Sequence, residues 1–171
     1  MQNNSRTLDC TIRDGGYYNK WNFSKSFLND YLKLIDILNI EWVEIGFRKL
    51  VLDKSYGNFI RCEENFLNKI KFTKKIKLAV MIDCADFKSN NNFKLLNKIF
   101  PKKNKSKVSM IRIASSYEDL IYLKKIVLLL KKKNYVVSVN LMKFTLLKET
   151  QILNFFLKVE KLNCDFFYLA D

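Results

Sequence analysis

The chain has 171 residues, of which 49% are hydrophobic and 28% charged, and its formal net charge is +14. This composition excludes an intrinsically disordered chain, and no apolar run reaches the roughly 20 residues that cross a bilayer. The four cysteines form no Cys-x-x-Cys pair and the chain has no histidine, which excludes the common zinc sites.

The predicted elements alternate along the chain. Six short runs rich in β-branched and aliphatic residues are predicted strands, at residues 7–13, 42–48, 78–84, 108–115, 136–143 and 165–171. Five segments with apolar residues at helical spacing are predicted helices, at residues 24–39, 63–70, 93–100, 117–134 and 149–163.

Two of these helices carry further signals. Ser24 is the expected N-cap of the first helix, and either Ser115 or Ser116 is the expected N-cap of the fourth. The first helix has a predicted core-facing stripe made of Phe27, Tyr31, Leu34, Ile35 and Leu38.

The alternation predicts a parallel sheet with right-handed crossovers. An open doubly wound sheet and part of a (β/α)₈ barrel both fit it. No Gly-x-Gly-x-x-Gly follows the first strand, so a dinucleotide-binding sheet has little support and the barrel is favoured. Because complete barrels take about 250 residues, we expect residues 1–171 to form a single truncated domain with about six of the eight strands.

Polar side chains recur on one face of the predicted strands. Glu44 and Arg48 share a face of the second strand, and the same face of later strands carries Asp83, Arg112 and Asn140. Unpaired charges are costly to bury in an apolar core. They therefore either meet at a polar mouth formed by the carboxyl ends of the strands, where barrel enzymes have their active sites, or form a structural ion-pair network.

The first predicted strand contains a dense motif, LDCTIRDGGY at residues 8–17. It puts a cation and a carboxylate side by side at the strand end, and the two glycines are expected to let the chain turn away. The motif resembles the opening strand of the DRE-type TIM-barrel metallolyases, which include hydroxymethylglutaryl-CoA lyase, isopropylmalate synthase and 4-hydroxy-2-oxovalerate aldolase. The aldolase-like branch is the most similar, and the resemblance continues at residues 43–48, 139–142 and 168–171.

This resemblance implies a role for each matching residue. Asp14 is expected to ligate a divalent metal, Mn²⁺ or Mg²⁺, and Arg13 to stabilise an enolate oxygen while Glu44 holds the arginine. Asp171 matches the aspartate that ends the sixth strand of these enzymes. They take two further metal ligands from a His-x-His on strand seven, which this chain lacks, so weakened metal binding is expected.

Other residues are candidate substrate contacts or lid residues. Arg48, Asp83, Asn140 and Asp171 are the expected substrate-binding side chains. Arg48 and Arg112 are alternatively expected to pair with Glu44 and Asp83. The aromatic residues after the motif are expected to form either a lid or part of the core: Tyr17, Tyr18, Trp21 and Phe23.

The sequence therefore predicts a divalent-metal-dependent aldolase or lyase-like domain that makes or breaks a carbon–carbon bond through a pyruvate-type enolate, incomplete as given. A Claisen-type acyl-CoA condensing synthase and a non-catalytic basic binding fragment are the alternatives. The expected partners are a small 2-oxo acid and, through open barrel edges, a second copy or a missing C-terminal portion.

Nucleic acid and membrane are not expected partners. The positive charge could attract nucleic acid, but the lysines at residues 102–107 and 131–133 fall at a predicted loop and helix end, where they are solvated and complement the helix dipole. The polar start of the chain lacks the apolar segment of a secretory signal. A cytoplasmic protein with reduced, mostly buried cysteines is the expectation.

Overall fold

The computed structural model describes residues 7–50, 53–73 and 75–171. The strands in this part of the chain are β1 (Leu8–Asp9), β2 (Trp42–Phe47), β3 (Lys77–Asp83), β4 (Val108–Ser115), β5 (Val136–Met142) and β6 (Phe166–Ala170). The α-helices are α1 (Thr11–Asn19), α2 (Lys25–Ile37), α3 (Glu64–Leu67), α4 (Asn90–Ile99), α5 (Leu120–Lys132) and α6 (Glu149–Glu160).

The six strands follow one another in chain order in the sheet. Strand β1 pairs with β2 in parallel, and β5 pairs in parallel with both β4 and β6. Parallel neighbours joined by helical crossovers in chain order are the defining feature of a (β/α) barrel. The predicted fold class, an incomplete barrel of this type, is confirmed.

The chain divides into two compact units, Met1–Val80 and Met81–Asp171. The single domain expected over residues 1–171 stays a prediction. None of the helices in the described ranges has the length and hydrophobicity of a transmembrane segment.

In the first unit, β2 is buried along its whole length and α2 packs its apolar face into the core. Ser24 is the N-cap of α2, as predicted, because its side chain accepts a hydrogen bond from the backbone N–H of Phe27 (3.1 Å). The predicted stripe is partly wrong. The buried residues of α2 are Leu28, Tyr31, Leu32 and Ile35, whereas Phe27, Leu34 and Leu38 are exposed. This helix has two adjacent apolar stripes, and periodicity does not select between them.

In the second unit, β4 and β5 are almost completely buried, and α5 covers them with Leu123, Ile126, Val127 and Leu130. Ser116, rather than Ser115, caps the 3₁₀ turn before α5, and its backbone N–H donates to Asp119 Oδ2 (3.2 Å). Strand β6 is less buried than β5.

The prediction of a strand over residues 7–13 is wrong beyond Asp9. The Asp9 carboxylate accepts hydrogen bonds from the backbone N–H of Thr11 (3.0 Å) and from its hydroxyl (3.1 Å). These bonds fold the chain into a local turn, and helix α1 starts there with the Asp14 N–H donating to the Cys10 carbonyl (2.9 Å). The Arg-Asp-Gly-Gly motif therefore lies on a helix that directly follows β1.

The four cysteines are free thiols. Cys62 and Cys84 are buried, and burial raises the pKa of both thiols, that of Cys84 to about 12. Both are therefore protonated at neutral pH and act as small apolar side chains.

Candidate active site

Arg13 lies on α1 just beyond the carboxyl end of β1, between two carboxylates. Its Nε donates to Glu44 Oε2 (2.8 Å), and its Nη1 pairs with Asp14 Oδ1. The two carboxylates differ in environment, since the Glu44 side chain is 0% exposed and that of Asp14 is 57% exposed. The Arg13 side chain is itself 16% exposed, so solvent reaches part of it.

The parallel pairing of β1 and β2 explains why Arg13 meets Glu44. Asp9, the last residue of β1, is opposite Val43, so Glu44 is one residue beyond the end of the β1 pairing. The first turns of α1 occupy this position and carry Arg13 to the β2 carboxylate. The two residues are thus brought together although 31 positions separate them in the sequence.

The electrostatics of Arg13 keep it charged. Burial opposes its ionisation, but the charge of Glu44, the hydrogen bond to Glu44 and the charge of Asp14 outweigh this and raise the pKa of Arg13. A guanidinium is already protonated throughout the physiological range. Arg13 is therefore a fixed positive charge and cannot donate or accept a proton in a reaction.

An aromatic cluster supports Arg13. The guanidinium lies over the ring of Phe47 (5.8 Å to the centroid), and the indole N–H of Trp21 donates to the Arg13 carbonyl (3.0 Å). Trp21 makes edge contacts with Phe47 and Tyr17, at centroid distances of 5.6 and 4.8 Å. Trp21 is part of the core, whereas Tyr17 and Tyr18 are exposed.

The two glycines of the motif do not make the predicted turn, because both lie within α1. A Cβ added to Gly16 would stand 2.1 Å from the Trp21 indole, whereas one on Gly15 would make an ordinary contact of 3.6 Å with Phe23. Glycine is needed at position 16 because the Trp21 indole occupies the space of a Cβ atom. The backbone conformation at this position does not require glycine. Lys20 and Trp21 have positive φ angles of 54° and 57°, and this left-handed turn folds the indole back onto the helix.

Arg48 is buried at the end of β2 and is tied to the protein itself. Its Nε donates to the Cys62 carbonyl (3.1 Å) and its Nη2 to Glu64 Oε1 (2.6 Å). These bonds join β2 to α3. Gly46, between Glu44 and Arg48, has φ of 155°, and an added Cβ would meet the Phe59 carbonyl oxygen at 2.0 Å. The substrate-binding role expected of Arg48 stays a prediction.

The remaining sequence-predicted site residues belong to the second unit. Asn140 is buried, and its Oδ1 accepts from the Ser138 hydroxyl (3.0 Å). Asp171 Oδ1 accepts from the Thr145 hydroxyl (2.7 Å) and backbone N–H (3.3 Å). Arg112 has its guanidinium over the Tyr168 ring, 5.0 Å from the centroid. In the first unit, the structure brings together Arg13, Asp14 and Glu44.

Asp83 lines an open cleft of about 660 Å³ in the second unit, at the carboxyl ends of β3, β4 and β5. Sequence reasoning missed the ion pair on its wall, in which Lys88 Nζ lies 2.6 Å from Asp119 Oδ1. The hydrogen bond to Asp119 raises the pKa of Lys88. The Ser116–Asp119 spacing of a capping box was the available signal for this buried carboxylate.

The donor set of this chain does not fit the expected divalent metal. The described ranges contain no group of three or more histidine, cysteine, aspartate or glutamate residues that could hold an ion. Every cysteine, aspartate and glutamate of the sequence lies within those ranges. Mg²⁺ keeps several waters in proteins but still needs one or two available carboxylates, and Asp14, the expected ligand, has one oxygen paired with Arg13.

No family model and no curated protein matches this sequence. Two solved structures are similar to it. The N-terminal domain of a candidate aldolase from Bacteroides vulgatus is 18% identical with a TM-score of 0.65, and the match covers 98% of this chain and 73% of that one. The carboxyl transferase domain of Rhizobium etli pyruvate carboxylase, in complex with pyruvate, is 12% identical with a TM-score of 0.70. That match covers 99% of this chain and 32% of the other.

At these identities the similarity shows the fold alone. Both neighbours support a barrel-type arrangement over nearly the whole chain. The metallolyase superfamily to which the motif points stays a prediction.

Proposed function

We propose that this chain forms the enolate-binding part of an aldolase or lyase site for pyruvate-type 2-oxo acids. The observation that carries the proposal is the contact between Arg13 and Glu44, in which a fully buried carboxylate fixes a partly exposed guanidinium beyond the end of β1. The two similar structures, a candidate aldolase domain and a carboxyl transferase domain with pyruvate, support this substrate class.

The proposed chemistry requires a fixed positive charge. When the bond between C3 and C4 of a 4-hydroxy-2-oxo acid breaks, its electron pair forms the C2–C3 double bond and the C2 oxygen becomes negative. The 4-hydroxyl proton leaves to a base as the aldehyde forms, and a proton then adds to C3 to give pyruvate. A guanidinium already aimed at the C2 oxygen stabilises the charge as it develops.

Arg13 is the group that binds the C2 oxygen in this proposal, and Glu44 is a positioning residue. Because Glu44 is buried and holds Nε, the guanidinium has little freedom to reorient when substrate arrives. Since the donor set does not fit a divalent ion, the proposal assigns the enolate charge to Arg13 alone. The Claisen-type synthase, which would use the same Arg13, Asp14 and Glu44, and the basic binding fragment remain the alternatives.

Binding of oxalate, a planar analogue of the pyruvate enolate, tests this proposal. We expect oxalate to bind the wild-type chain in buffer containing EDTA, and Arg13→Lys to weaken binding at least about tenfold, because lysine lacks the planar fork that binds carboxylates. Isothermal titration calorimetry measures both affinities. Arg61→Lys, which changes an arginine paired with Glu63 elsewhere in the first unit, is the control. Equal affinities of the wild type and Arg13→Lys would refute the role of Arg13.

A further inference from the structure

The enolate-binding role proposed for Arg13 does not use Asp14, the second carboxylate that pairs with the guanidinium. Asp14 is adjacent to Arg13 in the sequence, is mostly exposed, and pairs with Nη1 of the guanidinium. Glu44, in contrast, is buried and holds Nε. An anion arriving from solvent cannot displace the buried carboxylate at low cost, so Asp14 is the one of the two carboxylates that it can displace.

We propose that Asp14 is an intramolecular competitor for the anion site, occupying the Arg13 guanidinium until the carboxylate or enolate oxygen of a 2-oxo acid displaces it. This inference rests on the proposed function, since it assigns the ligand of the same guanidinium. It reverses the role that the sequence motif implies, in which Asp14 is a metal ligand that helps to bind the substrate.

The charges of the cluster support competition. One arginine between two carboxylates gives the group Arg13, Asp14 and Glu44 a formal charge of −1, so these three side chains together do not attract an anion. Once the Asp14 carboxylate leaves the guanidinium, the remaining pair is neutral and Nη1 is available for a new acceptor. Exposed ion pairs are weak, so a substrate carboxylate can make this exchange without a large loss of affinity.

The competitor and metal-ligand roles give opposite results for one variant. We expect Asp14→Asn to bind oxalate about fivefold more tightly than the wild type in buffer with EDTA, the size of change that loss of a weak ion pair allows. The same ratio is expected when Mn²⁺ replaces EDTA. If Asp14 were a metal ligand, Asp14→Asn would bind oxalate more weakly than the wild type in buffer with Mn²⁺. In buffer with EDTA the two affinities would be equal.

Asp30→Asn is the matched control. Asp30 is an exposed aspartate on α2 that pairs with Lys33, and its substitution changes the net charge by the same amount. We expect its oxalate affinity to equal that of the wild type. Circular dichroism and thermal unfolding of each variant establish that the chain is folded before calorimetry.

The outcomes separate this inference from the proposed function. Tighter binding by Asp14→Asn but not by Asp30→Asn supports the competitor. Unchanged or weaker binding by Asp14→Asn, while Arg13→Lys still weakens oxalate binding as expected, overturns the competitor and leaves the function of Arg13 intact. Equal tightening in both aspartate variants overturns it in favour of a net-charge effect. Absence of oxalate binding in the wild type and in Asp14→Asn overturns both proposals.

Discussion

Replacing Glu44 with glutamine is expected to lower the free energy of unfolding by about 3 kcal/mol, the lower end of the cost of breaking a buried ion pair from one side, because Arg13 is partly exposed and keeps Asp14 as a partner. Glutamine nearly preserves the shape of the side chain, but it leaves the charge of Arg13 without its buried partner. Urea denaturation followed by circular dichroism measures the loss. The double variant Arg13→Gln/Glu44→Gln also removes the positive charge that has lost its partner. We expect it to recover part of the lost free energy of unfolding.

Glu41→Gln is the matched control for this prediction. Glu41 immediately precedes β2 and its Oε1 lies 2.5 Å from Lys77 Nζ, but both side chains of this pair are substantially exposed. We expect its loss to stay below about 1 kcal/mol. If both variants lost the same free energy of unfolding, the burial of Glu44 would not strengthen its ion pair with Arg13.

The second large effect is expected from Gly16→Ala, which should destabilise the chain by about 3 kcal/mol through overpacking. The new methyl group would overlap the Trp21 indole, which also donates to the Arg13 carbonyl. The variant therefore disturbs both the core and the position of Arg13. Urea denaturation measures the stability, and oxalate calorimetry measures the accompanying loss of affinity.

Gly15→Ala provides the comparison within the same helix. Its Cβ would contact Phe23 at an ordinary distance, and alanine is a better helix former than glycine by up to about 1 kcal/mol. We expect stability to be unchanged or slightly increased. If both glycine variants lost the same stability, the helix conformation and not the contact with Trp21 would be the cause.

The strands from β2 onwards were predicted within a few residues of their observed bounds. Each is a short apolar run whose side chains alternate or are buried on both faces, and such runs in a parallel sheet have a strong sequence signal. The boundaries of β4 agree with the prediction at both ends. Strand β3 begins and ends one residue earlier than predicted, and β5 ends one residue earlier than predicted.

Helix α1 was not predictable from local preference. Thr11 and Ile12 are β-branched and favour a strand, and Gly15 and Gly16 are poor helix formers. The helix forms because the Asp9 carboxylate binds the Thr11 backbone and because Trp21 packs against Gly16. These are specific contacts, and a pattern of apolar residues does not contain them.

The candidate site was predictable only in part. The resemblance of the motif placed Arg13 beside Glu44, and the structure brings the two together. The pairing of Asp14 with Arg13 depends on the rotamers of neighbouring helical residues. The pair between Lys88 and Asp119 depends on where separate loops meet. Residue patterns reveal neither contact, because they specify neither side-chain rotamers nor the positions at which loops meet.

The most direct test of the central claim is nuclear magnetic resonance of the Arg13 side chain during titration with oxalate in buffer containing EDTA. The Nε–H resonance, assigned by its loss in Arg13→Lys, is expected to shift in a saturable manner with the affinity found by calorimetry. The Nε–H resonance of Arg61 is expected to stay in place. If oxalate saturates the protein while the Arg13 resonance does not move, the guanidinium held by Glu44 is not the anion site, and the enolate-binding proposal is wrong.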